Sequence, residues 1–203
     1  MPRFDFEAIG PGAGRQDLVY VVIETPAGSR NKFVYDEALG LFRLHKILPM
    51  GSAFPFDFGF IPGTLAEDGD PLDLLVLGEE ATFTGCAVTV RLLGVIEALQ
   101  TERGRTIRND RLIGTPEGEK IKPEARSIDD VPGRVLDQIE HFFIAYNRYE
   151  GREFKIMKRR GPAAALELLE QARRKYMESR HASNPPGVRQ PPCPPLASKE
   201  NPP

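Results

Sequence analysis

The sequence predicts a mainly β domain with helices (α+β), in which a small β-barrel packs against two C-terminal helices. Short runs rich in β-branched and apolar residues recur along the first part of the chain, and two segments with helical periodicity follow them. Many strands followed by two helices favour a barrel with helices packed on it. A chain of 203 residues is long enough for one such domain with its own core.

The strand predictions follow the apolar runs in order. Residues 18–23 form a continuous apolar run that ends near Pro26, which is typical of a strand covered on both faces, and Glu24 stands at its end. Similar runs predict strands over residues 32–35, 72–77, 86–96 and 111–113, and weaker patterns predict strands over residues 41–44 and 154–157. Segments that contain Gly or Pro separate most of these runs.

Two helices are predicted in the last third of the chain. The first starts after Asp130 and Pro132 and ends before Gly151, and the second starts near Pro162. Apolar residues at three- and four-residue steps give each helix one apolar stripe. The stripes consist of Val135, Ile139, Phe142, Phe143 and Tyr146 in the first helix, and of Ala165, Leu169, Ala172 and Tyr176 in the second.

Composition excludes several classes of function. The 27 Lys and Arg residues nearly balance the 29 Asp and Glu residues, so the charge favours neither a nucleic acid nor a membrane surface as partner. Cys86 and Cys193 lie far apart, which indicates neither a zinc site nor a disulfide framework. With no signal-like N-terminal run and no apolar stretch of about 18 residues, we expect a cytoplasmic protein.

Residues 1–180 are predicted to form the domain, and residues 181–203 a flexible tail. Eight of the nineteen residues in 185–203 are Pro and few are apolar. Such a segment buries too little apolar surface to offset the entropy lost on ordering.

An acidic turn, Asp68-Gly69-Asp70-Pro71-Leu72-Asp73, precedes one of the predicted strands and places three carboxylates within six residues. Like charges this close repel, and a bound cation would stabilise them. An all-oxygen set favours Mg²⁺ or Mn²⁺ over zinc or copper. A calcium-binding EF-hand fits poorly, because Asp73 stands where that loop needs Gly. From these residues alone, a solvated acidic turn stays open beside a metal site.

The flanking residues carry a resemblance to a known family. The segment FPFDFGFIPGTLAEDGDPLDLLV at residues 54–76, the segment VYVVIETPAGSRNK at residues 19–32 and the helical segment QIEHFFIAY at residues 138–146 resemble the soluble family I inorganic pyrophosphatases. The resemblance spans about residues 17–176. It implies a five-stranded, OB-like closed barrel with two main helices. It also implies a homo-oligomer, expected to be a hexamer, that hydrolyses inorganic diphosphate to two phosphates with Mg²⁺, Mn²⁺ being possible.

The same resemblance assigns roles to individual positions. It implies that Asp68, Asp70 and Asp73 are metal ligands and that Asp70 is also the catalytic base that activates water. Glu24 would belong to an outer acidic shell. Four residues would bind the phosphates of the substrate: Lys32, Lys46, Arg111 and Tyr146.

Several positions depart from the family pattern. Gln100 and Asn109 stand where aspartates are usual, and their amide oxygens could still coordinate Mg²⁺ or belong to its outer shell while offsetting less charge. Glu97, Glu102 or Asp110 could instead supply replacement carboxylates as metal or shell residues. On the phosphate side the departures are Val34 for Glu, Lys46 for Arg, Phe54 and Phe58 for Tyr, and Asn147 for Lys. Three hypotheses follow: a diverged but active pyrophosphatase, a catalytically weakened relative that binds phosphate, diphosphate or a protein partner, and an enzyme with another phosphate-ester or nucleotide substrate.

Overall fold

The computed structural model describes residues 15–118 and 125–183. In this part of the chain, eight strands precede the first of two α-helices, and a ninth strand lies between the two helices. The strands are β1 (Leu18–Thr25), β2 (Asn31–Asp36), β3 (Leu41–Ile47), β4 (Asp57–Phe60), β5 (Asp73–Val76), β6 (Ala87–Glu102), β7 (Arg105–Arg108), β8 (Arg111–Pro116) and β9 (Glu153–Arg160). The helices are α1 (Gly133–Tyr149) and α2 (Pro162–Ser183).

Five of these strands pair in a closed ring, in the order β1, β4, β5, β8, β6 and back to β1. The pairing of β5 with β8 is parallel, and the other four pairings are antiparallel. β7 and β9 both pair with the distal half of β6 and lie outside the ring. The mainly β fold with a five-strand ring and two main helices is therefore confirmed.

All seven predicted strands are present, but the prediction omitted β4 and β7 and ended β6 at residue 96. β4 contains Asp57 and Gly59 and lies between Pro55 and Pro62, so its composition resembles a turn. All four of its residues are buried, because tertiary packing outweighs their low strand propensity. β7 is polar and mostly exposed, and its pairing partner is the extended end of β6.

Both helices begin where predicted, and each buries part of its predicted apolar stripe; the members that are only partly buried are Val135, Phe142, Tyr146 and Tyr176. α1 begins directly after Pro132, and it buries Ile139 and Phe143 against strand residues such as Leu75 and Ile113. α2 begins at Pro162 and packs its buried stripe, Ala165, Leu169 and Ala172, into a second cluster of core residues from β1, β5, β6 and β8. The core therefore consists of two apolar clusters, one associated with each helix.

β2 and β3 form a two-stranded sheet of their own within the described residues. Side chains of β1 attach this hairpin to the ring. The backbone N–H of Phe33 donates to the Thr25 hydroxyl (3.1 Å), and that of Tyr35 donates to Glu24 Oε1 (2.8 Å). The end of β1 thus holds the hairpin beside the ring.

No helix in the described ranges is long and apolar enough to span a membrane. α2 continues to Ser183, three residues past the predicted domain boundary at residue 180. The prediction of a flexible segment over residues 185–203 lies outside the described residues.

Candidate active site

The acidic turn lies between β4 and β5 and is fixed by local hydrogen bonds. The backbone N–H of Asp70 donates to Asp68 Oδ1 (3.2 Å), which closes a short turn over Gly69. Gly69 has a φ of 94°, a conformation that disfavours any residue with a Cβ. The backbone N–H of Leu72 donates to the buried Thr64 hydroxyl (2.9 Å) and ties the turn to the core. Asp73 follows as the first residue of β5.

Strand register brings Asp73 beside Arg111. β5 and β8 run parallel with Leu74 opposite Leu112, so the residues that precede these two are neighbours at the starts of their strands. Arg111 Nη1 lies 2.7 Å from Asp73 Oδ2, and the Arg111 side chain is only 7% exposed. Its guanidinium packs over the ring of Phe143, 5.0 Å from the ring centre. One predicted phosphate ligand therefore forms an ion pair with one predicted metal ligand.

The carboxylates near this pair influence one another. The pKa of Glu24 is raised to about 7, mainly by burial and also by the negative charges of Asp73 and Asp70, while the hydrogen bond from the Tyr35 backbone and the charge of Lys32 oppose the shift. Burial also raises the pKa of Asp68 and of Asp70, and the negative charge of Asp73 adds to both shifts. Glu24, Asp68 and Asp70 thus share an electrostatic environment that disfavours their ionisation.

The β2–β3 hairpin supplies the positive side of the site. Lys32 and Lys46 are directly opposite each other in the antiparallel register, and two like charges in such a position destabilise the pairing of the strands. Their Nζ atoms lie 5.7 and 5.1 Å from the centre of the Tyr146 ring, within cation–π range. Lys46 also forms an ion pair with Glu150, directly after the end of α1. The structure thus brings Lys32, Lys46 and Tyr146 together.

Gln100 and Asn109 lie behind Arg111. The Asn109 side chain donates from Nδ2 to Gln100 Oε1 (3.0 Å), and Asn109 Oδ1 accepts a hydrogen bond from Arg111 Nη1. These two amides therefore connect with the Asp73–Arg111 ion pair.

The three suggested replacement carboxylates have other partners. Glu97 and Asp110 both bind Arg108, at 3.0 and 2.6 Å, and Asp110 also accepts a hydrogen bond from the backbone N–H of Ala98 (3.0 Å). Glu102 lies 3.0 Å from Arg152 Nε. Asp110 nevertheless lines one cavity with Asp68 and Asp73, whereas Glu97 and Glu102 do not belong to the lining of that cavity.

Glu150 is a residue of the site that the sequence reasoning did not include. It lies four residues after Tyr146, one helical turn further along, and this spacing was the available signal. Phe54 and Phe58, two of the departures that the resemblance implies, are buried core residues in contact with each other. Asn147 is buried and donates to the backbone carbonyl of Phe143 (2.9 Å), so its side chain forms a hydrogen bond within α1.

The donor set suits a hard cation. Asp68, Asp70, Asp73 and Glu24 offer only carboxylate oxygens, the ligands that Mg²⁺ and Mn²⁺ prefer. Within residues 15–118 and 125–183, no three His, Cys, Asp or Glu side chains converge closely enough to enclose an ion by themselves. A diphosphate provides further anionic oxygens, so an incomplete protein shell is consistent with a Mg²⁺ ion bound together with substrate.

Comparison with known proteins decides the family. The family model for inorganic pyrophosphatase matches residues 21–177. The chain belongs to the inorganic pyrophosphatase family. All the site residues described above lie within the matched range.

Individual relatives agree with this membership. An inorganic pyrophosphatase from Synechocystis sp. is 35% identical over 166 residues, covering 82% of this chain and 96% of the relative. The crystal structure of an inorganic pyrophosphatase from Thermus thermophilus has a TM-score of 0.75 at 37% identity and covers 82% of this chain and 95% of that one. For an inorganic phosphatase from Anaplasma phagocytophilum, the TM-score is 0.76 at 31% identity, over 83% of this chain and 99% of that one.

Proposed function

We propose that this protein hydrolyses inorganic diphosphate to two phosphates in a reaction that requires Mg²⁺, with Mn²⁺ as a possible substitute. The supporting observation is the apposition of opposite charges: Lys32 on the hairpin lies close enough to Glu24 and Asp70 to oppose the rise in the pKa of both carboxyls. A polyanion that arrives with a metal ion needs both a cationic and an anionic surface. The site offers the two side by side.

The cationic surface would bind and orient the substrate. Lys32 and Lys46 face each other in the strand register, and each would donate to phosphate oxygens, Lys46 in addition to its ion pair with Glu150. The Tyr146 ring lies under both ammonium groups, and its hydroxyl would donate a further hydrogen bond. A bound phosphate would relieve the repulsion between the two lysines. Binding would therefore also stabilise the hairpin.

The acidic surface would hold the cation and receive a proton. Asp68, Asp70 and Asp73 would bind Mg²⁺, which neutralises substrate charge and acidifies water when bound. Asp70 would accept the proton of the attacking water, since burial and the Asp73 charge raise its pKa above that of an ordinary aspartate. Arg111, held by Asp73, would stabilise negative charge on a phosphate.

A phosphate-release assay with diphosphate tests this proposal. The wild-type protein should release phosphate only with Mg²⁺ or Mn²⁺ present, and Asp70→Asn should lower the rate by about 100-fold or more, the contribution of a general base. Asp129→Asn, at an exposed position before α1, is the matched control and should keep the wild-type rate. Metal-independent release, or equal rates for wild type and Asp70→Asn, would refute the proposal.

The weakened relative remains the second candidate, favoured by Gln100 and Asn109 at positions where the family carries aspartates. This protein would bind diphosphate with Mg²⁺ but not hydrolyse it. Calorimetry with imidodiphosphate, which carries a P–N–P bridge, separates binding from turnover. Tight binding of imidodiphosphate together with no release of phosphate from diphosphate would favour the second candidate. The absence of both binding and release would exclude it.

A further inference from the structure

We propose that Gln100 and Asn109 are positioning residues that orient the guanidinium of Arg111 toward the cavity that Arg111 lines with Asp68 and Asp73. This inference rests on the proposed function, because it assigns Arg111 to the binding of an anionic phosphate group. It gives the two amides a role that does not involve metal coordination. Neither residue would touch the substrate itself.

Both ends of the Asn109 amide are used. Nδ2 donates to Gln100 Oε1 at 3.0 Å, and Oδ1 accepts from Arg111 Nη1. A carboxylate at position 109 could accept from the arginine, but it could not donate to Gln100. Gln100 is only 8% exposed, so few other partners are available to its side chain. The hydrogen bonds therefore select an amide at position 109 and an acceptor at position 100.

The same hydrogen bonds leave the amide oxygens poorly suited to a cation. A Mg²⁺ ion would have to bind Gln100 Oε1 or Asn109 Oδ1, since amide nitrogens do not serve as its ligands. Each oxygen already accepts a hydrogen bond from an N–H group. Asn109 moreover already contacts the positive charge of Arg111. A cation at this point would meet both lost hydrogen bonds and like-charge repulsion.

The surroundings of Arg111 show why its orientation needs support. Its Nη1 contacts three acceptors, Asn109 Oδ1, the backbone carbonyl of Asp110 at 3.0 Å and Asp73 Oδ2 at 2.7 Å. The rings of Phe143 and Phe154 lie 5.0 and 5.5 Å from the guanidinium carbon and restrict its plane. Nε is buried and has no hydrogen-bond partner. The guanidinium is therefore held mainly along one edge, and Asn109 belongs to that edge.

The oriented guanidinium borders a cavity. Asp68, Asp73, Asn109 and Arg111 all line it. Loss of the Asn109 contact would let the guanidinium turn toward Asp73, its closest charged partner. Arg111 would then be held mainly by its existing ion pair with Asp73 and would bind phosphate less well.

Gln100→Met tests the inference, because methionine has a similar length but no accepting oxygen. The matched control is Gln138→Met, the same change at an exposed position of α1. We expect Gln100→Met to raise KM for diphosphate about 3- to 10-fold, the effect of one weakened charged hydrogen bond, with a change in kcat below about twofold. Its affinity for Mn²⁺ without diphosphate should stay within about twofold of wild type, since no ligand is lost.

A nitrogen-15 NMR spectrum of the arginine Nε–H groups gives a readout that is independent of activity. The Arg111 resonance, assigned with Arg111→Lys, should shift or broaden in Gln100→Met and stay in place in Gln138→Met. Gln100→Glu, which retains an oxygen that accepts from Asn109, should return the resonance toward its wild-type position. Thermal unfolding of each variant confirms that the compared proteins are folded.

Three results would overturn the inference. They are an unchanged Arg111 resonance in Gln100→Met, an unchanged KM, or a loss of Mn²⁺ affinity of about tenfold or more, which would make Gln100 a metal ligand. If the wild-type protein does not hydrolyse diphosphate, the proposed function fails. The NMR shift and the affinity for imidodiphosphate with Mg²⁺ then still decide whether the amides position Arg111.

Discussion

The raised pKa of Glu24 predicts a pH-dependent cost to stability that Glu24→Gln removes. The pKa of this carboxyl is about 7 in the folded protein and 4.5 in its ordinary range. The folded protein therefore binds the proton more tightly than the unfolded chain does. Stability from this group is complete below pH 4.5 and is lost as the pH rises through 7.

The size of the effect follows from the shift. Each pKa unit corresponds to about 1.4 kcal/mol, so a shift from 4.5 to about 7 lowers the free energy of unfolding by roughly 3 kcal/mol above pH 7. Glutamine cannot ionise, and its Oε1 still accepts the hydrogen bond from the Tyr35 backbone. Glu24→Gln should exceed the stability of the wild type by less than about 1 kcal/mol near pH 5 and by roughly 3 kcal/mol at pH 8.5.

Urea unfolding in EDTA at several pH values measures this difference. Glu178→Gln, the same change at an exposed position of α2, is the control and should follow the wild type at every pH. Adding Mg²⁺ at pH 8.5 should reduce the gap, because a bound cation favours the ionised carboxylates. A gap between Glu24→Gln and wild type that stays constant from pH 5 to 8.5 would refute the reasoning.

Two further substitutions test the contacts that shape the site. Arg111→Met removes the partner of Asp73 and should lower the free energy of unfolding by about 3 kcal/mol in EDTA, as broken buried ion pairs do. In a protein that already carries Asp73→Asn, the same substitution should cost less. A double-mutant cycle measured by urea unfolding tests this, and the absence of coupling between the two positions would contradict it. Asp57→Asn should lower the free energy of unfolding by about 2 kcal/mol in the same assay. The buried carboxylate accepts hydrogen bonds from the backbone N–H of Ala27 (2.7 Å) and from both the backbone N–H and the hydroxyl of Thr82 (2.9 and 2.6 Å). A variant as stable as the wild type would show that these bonds contribute little.

Sequence patterns predicted the parts of the fold that depend on local composition. Continuous apolar runs located β1 and the start of β6, and helical periodicity located α1 and α2, because core packing imposes these periods directly. β4 escaped prediction because its Asp57 and Gly59 favour turns, and only its neighbours in the ring bury it. Pairing between distant strands leaves no local mark in the sequence.

The site shows the same division. The acidic turn was visible as a motif, since its three carboxylates lie within six residues. The pairing of Asp73 with Arg111 was not visible, because it depends on the parallel register of β5 and β8. The roles of individual side chains therefore needed the fold, even where the residues themselves had been selected correctly from the chain.

The separate β2–β3 sheet bears on how the family diversifies. The carboxylates of the acidic turn belong to the ring, whereas Lys32 and Lys46 belong to a hairpin that the end of β1 holds through side chains. Substitutions in the hairpin, such as Val34, leave the backbone ladder of the ring intact. Evolution can therefore alter how this surface receives an anion without altering the scaffold that would hold the metal.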